Sequence, residues 1–245
     1  MQINDQAILL KTQKFNEKHL IASVLSKDHG LIKGMVKNVY PKKFKTELIP
    51  GNLCMITWKG RLNCQLGNLS FETLYNVIAH INSDQLRMVI LNSVLSLVQL
   101  CINEREPHVN IYTQLEKLLK TLASEENITL VLKQYCFFEL MLLGEAGFGL
   151  DLEKCAVTKQ SHDLHYVSPR TGCAVSLEAA QPYKERLLEL PQFIINEVSC
   201  LNYADILSAL KLTTYFFTKQ IYLIADTPEP IARRMLFDKI YELAK

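Results

Sequence analysis

Apolar positions follow two regimes along the chain. From residue 6 to 77 they come in short runs, Ala7–Leu10, Leu20–Leu25, Leu31–Val39, Leu53–Trp58 and Leu69–Tyr75. Turn-like Asp28-His29-Gly30, Pro50-Gly51 and Lys59-Gly60 separate them, so each run reads as a strand. Five strands in this span predict a small closed barrel of the OB or SH3-like kind, and the strand count favours the OB arrangement. Trp58, the one tryptophan, is expected to fill a barrel end rather than to stack on a ligand.

After Asn82-Ser83-Asp84, which suit a helix start, the spacing turns helical. Leu86, Ile90, Val94, Leu97 and Cys101 trace one stripe, widened by Val89, Leu95 and Val98, and the helix stops before Pro107. Ile111, Leu115, Leu118, Leu119 and Leu122 mark a second helix. In the third, apolar residues from Leu130 to Leu142 ring nearly the whole circumference, which predicts a central helix packed on several sides. Lys133, Glu139 and Glu145 interrupt it, and no run approaches the ~20 apolar residues that a bilayer requires. Gly144, Gly147 and Gly149 then break the period, and Gly147 or Gly149 can take the positive φ that ends a helix. A hairpin follows within about 151–176, then helices near 177–188 and 203–225, and a last one starting at Thr227-Pro228. The predicted class is α+β: a five-stranded OB-like barrel over 1–78, then a helical bundle over 79–245 with a small inserted β-hairpin.

Charge sharpens this division. The net charge is only +2, yet residues 1–78 hold 11 Lys and Arg against 5 Asp and Glu, so the rest of the chain is acidic. The barrel is therefore the polyanion candidate. Between its third and fourth strands, Tyr40-Pro41-Lys42-Lys43-Phe44-Lys45 interleaves cations with aromatic rings. A single strand of nucleic acid needs that pairing, cations for phosphates and flat faces for bases. A solvated loop anchored by two rings is the alternative reading. Candidate DNA contacts are Lys33, Lys37, Tyr40, Lys42, Lys43, Phe44, Lys45, Lys59 and Arg61.

Seven cysteines at scattered positions, with no basic start followed by an apolar signal segment, lead us to expect free thiols in a reducing cytoplasm. Phosphate-loop, dinucleotide, HExxH and GxSxG motifs are absent, which leaves nucleotide hydrolysis, dinucleotide redox and the common hydrolase chemistries unsupported. Cys155, His162, His165 and Cys173 could in principle make a tetrahedral zinc site, but their spacing is not that of paired knuckles. We expect no cofactor and no metal. Glu139 and Glu145 lie among apolar positions without a partner at catalytic spacing, as paired ions or helix-end charges would.

The series EREPH (104–108), GEAGFGLDLEKCAVT (144–158), YVSPRTGCAVS (166–176) and Ala180-Gln181-Pro182-Tyr183, behind a basic barrel-like start, resembles the DNA repair and recombination protein RecO family over nearly all of the chain. The resemblance implies an amino-terminal OB-fold and a helical domain whose inserted hairpin binds zinc in many relatives. Those ligands, two Cys-x-x-Cys pairs, would fall on Cys155, Thr158, Ser176 and Ala179, of which only the first is a cysteine. It further implies a non-enzymatic, nucleoid-associated mediator of recombinational repair. Such a protein binds single- and double-stranded DNA, anneals strands and contacts the acidic tail of single-strand-binding protein. With RecR, it helps RecA load. Lys117, Lys120 and Lys133 are candidates for the tail. A protein-interaction scaffold using strand addition, or an RNA-binding OB module, would fit the same barrel.

Overall fold

The short apolar runs form β1 (Gln2–Lys14), β2 (Leu20–Ser26), β3 (Gly30–Val36), β4 (Leu53–Lys59) and β5 (Gly67–Tyr75). They close into a barrel in the order β1-β2-β3-β5-β4, antiparallel throughout except where β3 meets β5 in parallel at Gly34–Gly67 and Met35–Asn68. The computed structural model describes residues 1–37, 48–61, 66–81, 83–196 and 201–245, and their contacts group into two units, Met1–Glu125 and Glu126–Lys245.

Alternation decides what fills the barrel. Ile3, Ala7, Leu9, Val24, Ile32, Ile56, Trp58 and Leu69 point inward and are buried. The outward row Ile8, Leu25 and Leu31, level with one another by register, is buried as well, because elements of the same unit cover it. Helix α2 (Gln85–Cys101), which follows the short α1 (Ile78–Ile81), packs on β1. Its Gln99 donates to the Leu10 carbonyl at 3.3 Å. Asp84 caps α2 by accepting from the Leu86 and Arg87 amides. The Arg87 guanidinium donates to the Leu122 and Glu125 carbonyls, so a cation sits at the carboxyl end of α3 (Val109–Ser124). The strap between α2 and α3 lies along β3. Glu104 bridges Leu31 in parallel, the Arg105 amide donates to the Leu31 carbonyl at 3.0 Å, and the Arg105 guanidinium stands 4.3 Å from the Trp58 ring centroid.

In the second unit, α4 (Ile128–Glu145) buries Val131, Leu132, Tyr135, Cys136, Phe138, Glu139, Leu142 and Leu143, the multi-sided packing that its sequence predicts. Gly147, at φ +87°, turns the chain out of it. The inserted hairpin is β6 (Leu164–Val167) and β7 (Ala174–Ser176), and a third strand, β8 (Leu188–Glu189), completes a sheet of order β7-β6-β8. The helix expected over 177–188 is instead α5 (Leu177–Ala180) and a 3-10 segment, Gln181–Arg186, with Pro182 in its first turn. After α6 (Gln192–Ile195), α7 (Tyr203–Phe217) is opened by an Asn202–Asp205 capping box and ends in a π-helical turn, Thr218–Tyr222, rather than running to 225. The last helix, α8 (Ile231–Leu243), starts later than Pro228 because Pro230 is extended at ψ 130° and forbids helix at the residue before it.

Candidate nucleic-acid interface

Register fixes which barrel residues stand level. Gln13 faces Ile21, Ile21 faces Met35, Met35 faces Asn68, Asn68 faces Lys59 and Lys59 faces Gln2. This outward path crosses all five strands but leaves β1 at Gln13 and returns to it at Gln2, near the strand's other end, so it climbs along the barrel and does not close on itself. The strand ends just beyond it, called the rim below, carry Lys14, the β1–β2 turn 15–19, Lys37 at the end of β3, Gly60 and Arg61 after β4, Leu66 before β5, and Met1. Lys14, Lys18, Lys37, Lys59 and Arg61 are all exposed there, with Glu17 the acid among them.

Trp58 forms the floor of this rim. Its indole donates to the Lys33 carbonyl at 3.1 Å, and Gly60 and Gly67 let the backbone close over the ring, since a Cβ on either would overlap it. A groove of about 740 Å³ opens here, lined by Met1, Gln2, Lys59, Gly60, Arg61, Leu66, Gly67 and Asn68. The amino-terminal ammonium donates to the Gly60 carbonyl at 2.9 Å. At the other end of the β2–β3 hairpin, Asp5 accepts from Ser26, from the Asp28 and Gln6 amides and from His29. Burial opposes its charge, but those bonds hold the carboxyl below the ordinary value.

Among the residues predicted to contact DNA, Lys37, Lys59 and Arg61 lie on this rim. Lys33 stands one outward row away from it, level with Ser23 and Lys11, and its ammonium is ion-paired with Glu104 of the strap. Tyr40, Lys42, Lys43, Phe44 and Lys45 lie outside the described residues. The turn Phe15-Asn16-Glu17-Lys18-His19 belongs with the site and is not among the sequence candidates. Its signal was available: a basic-aromatic cluster with a turn residue, Asn16, between two apolar runs.

On the helices, Lys117 and Lys120 sit on the exposed face of α3 in the first unit, Lys120 paired with Glu116 at 2.7 Å. Lys133 is half-buried on α4 in the second. In the hairpin region, Cys155 is fully buried, and its Sγ accepts from the Thr158 amide at 3.4 Å and from the Ser176 amide and hydroxyl at 3.3 and 3.4 Å. Three of the four positions that the resemblance marks for zinc ligands therefore meet around one sulfur, two of them as hydrogen-bond donors. His165 pairs with Asp163, and the Cys173 thiol donates to the Thr171 carbonyl. Among the described residues, no group of three His, Cys, Asp or Glu is placed to hold a metal.

A five-stranded barrel with exposed cations along its strand ends, followed by helices carrying a small sheet, defines an OB-type binding protein joined to a helical domain. Two family models match the chain, Recombination protein O N terminal over residues 1–77 and Recombination protein O C terminal over residues 82–225. It is similar to proteins named DNA repair protein RecO. That of Orientia tsutsugamushi (strain Ikeda) is 34% identical over 99% of both chains. That of Granulibacter bethesdensis is 35% identical over 100% of this chain and 98% of the relative, and that of Rickettsia bellii (strain OSU 85-389) is 34% identical over 99% and 98%. The chain belongs to the recombination protein O family.

Proposed function

We propose that this protein is a non-enzymatic, DNA-binding mediator of recombinational repair. It anneals complementary strands and helps RecA load on DNA coated by single-strand-binding protein. The observation that carries this reading is the rim, where five exposed cations, Lys14, Lys18, Lys37, Lys59 and Arg61, follow one line of strand ends from three separate stretches of the barrel. A protein that anneals must neutralise two phosphate backbones and leave base edges free to pair, so it needs phosphate contacts rather than groove readout. Family membership supports the repair role, as the relatives' names say of them.

DNA binding is assigned to residues 1–78, and the remainder, 79–245, takes protein partners: RecR and the acidic tail of single-strand-binding protein, for which Lys117, Lys120 and Lys133 are the candidate cations. Among the described residues, no helix is long and apolar enough to cross a membrane, and the proposed place of work is the cytoplasm, on the nucleoid. The deciding experiment mixes the purified chain with complementary single strands, one carrying a fluorescent label, without ATP or metal. Pairing should be accelerated and should slow as salt rises. No acceleration at low salt would overturn the annealing role.

A further inference from the structure

We propose that Phe15, at the tip of the β1–β2 turn, is a base-stacking residue that gives the rim a preference for single strands; this rests on the DNA-binding reading above. Phe15 is 56% exposed, unlike the barrel's other described rings. Trp58 is fully enclosed, and Phe71 packs against the core. The turn that presents it is closed on itself. The Phe15 and Asn16 amides donate to the His19 carbonyl at 3.0 and 3.2 Å, and the Asn16 side chain accepts from the Lys18 and His19 amides at 2.9 Å each. These bonds fix the backbone under the ring, so little ordering is left for the moment of binding. Lys14 and Lys18 flank it, both exposed, and half-buried Ile21 and Met35 lie level with Gln13, just inside the same rim.

A flat apolar face between two ammonium groups matches one nucleotide of an unpaired strand: the base meets the ring, and its neighbouring phosphates meet the lysines. A duplex offers the same phosphates but keeps its bases stacked on one another, so the ring gains nothing from it. The β1–β2 and β4–β5 connections are also the loops by which OB barrels hold oligonucleotides. Here Phe15 lies in the first, while Arg61 and Leu66 lie in the second. The occupant that this charge and shape select is therefore a single-stranded nucleic acid.

The test measures binding of labelled oligo(dT) and of a duplex of equal length by the full chain, at about 50 mM and about 200 mM salt. It compares wild type with Phe15→Ala and Phe15→Trp, after melting curves confirm that both fold. Phe15→Ala should lose ~5- to 150-fold in single-strand affinity, the range of one base–aromatic stack. Duplex affinity and the salt slope should stay unchanged, because no phosphate contact is removed. Phe15→Trp should keep single-strand affinity, and its emission should be quenched by oligo(dT), whereas that of buried Trp58 in the wild type should not. Equal losses on single strand and duplex, or no loss while wild type binds both, would overturn the stacking role and leave DNA binding intact. Failure of wild type to bind either would overturn the proposed function itself.

Discussion

Arg233 on α8 grips both carboxylate oxygens of Glu139 on α4, Nε to Oε1 at 2.8 Å and Nη2 to Oε2 at 3.0 Å, and neither side chain is reached by solvent. Glu139 also accepts from the Tyr135 hydroxyl at 2.7 Å and from Thr213. The remaining guanidinium nitrogen donates to Thr214 and Glu229. Burial alone would lower the pKa of Arg233, but the carboxylate beside it holds the value above the ordinary one. The pair thus ties the last helix to the central one through a bond that spans 94 residues of sequence.

Removing one partner strands the other. Arg233→Met or Glu139→Leu alone should cost ~3–5 kcal/mol, because an uncompensated charge stays buried. The double substitution should cost much less than the two together, with a coupling of ~1 kcal/mol or more in a double-mutant cycle. Urea unfolding of the four proteins measures it. Strictly additive losses would show that the two charges do not depend on each other.

The central helix offers a test of packing without charge. Phe138 is 3% exposed, about 100° around the helix from exposed Phe137, so Phe138→Ala should open a cavity and cost ~3–5 kcal/mol. Phe137→Ala, which gives up its edge contact with Phe193, should cost clearly less. Equal losses would mean that the helix is not seated as described.

Cys155 makes stability depend on pH. Burial pushes its thiol up, but the Ser176 hydroxyl and the Thr158 and Ser176 amides pull it down to about 6. The folded value lies below the unfolded one. Between the two the unfolded chain binds more protons, and stability rises with pH. The contribution is complete above the unfolded thiol's value and is lost as pH falls through about 6. Urea midpoints of wild type and Cys155→Ala, compared near pH 6, 7.5 and 9, should therefore diverge as pH rises, by ~1.4 kcal/mol per unit at most. A constant difference would show that the sulfur is held as a neutral thiol. Chelator should leave both curves unchanged, and a shifted wild-type midpoint would reveal a metal at this hairpin.

What could be read from sequence follows from what is local. Strand alternation in Leu20–Leu25 and Leu53–Trp58, the all-round apolar surface of the central helix, and the turn at Gly147 each depend on side chains a few positions apart. The rim does not. Lys14, Lys37 and Lys59 are far apart in sequence and fall on one line of strand ends only through the registers that close the barrel. The Glu139 partner was hidden for the same reason, because Arg233 lies 94 residues further along and only tertiary packing brings the two together. The π-helical turn after Phe217 was hidden differently, since Ile221 and Tyr222 continue the apolar pattern while the hydrogen bonding changes.

The ion pair between Lys33 and Glu104 leads to the last prediction. Both groups are about half exposed, so the pair adds little to stability, but it places a carboxylate where a phosphate would otherwise meet Lys33. A lysine that contacts a B-DNA phosphate releases counterion. Its removal should shallow the slope of log affinity against log salt by about 0.9, or about 0.7 on single strands. Lys37→Ala, Lys59→Ala and Arg61→Ala should each show that change with little dependence on base sequence. Lys33→Ala should show less, because its charge is already engaged by Glu104. Glu104→Gln should act in the opposite sense, strengthening binding at low salt and steepening the slope as Lys33 is released to the DNA. Fluorescence anisotropy across a salt series measures all five variants. If Glu104→Gln leaves both affinity and slope unchanged while Lys59→Ala and Arg61→Ala shallow the slope, then the contact surface ends at the rim and does not extend down β3.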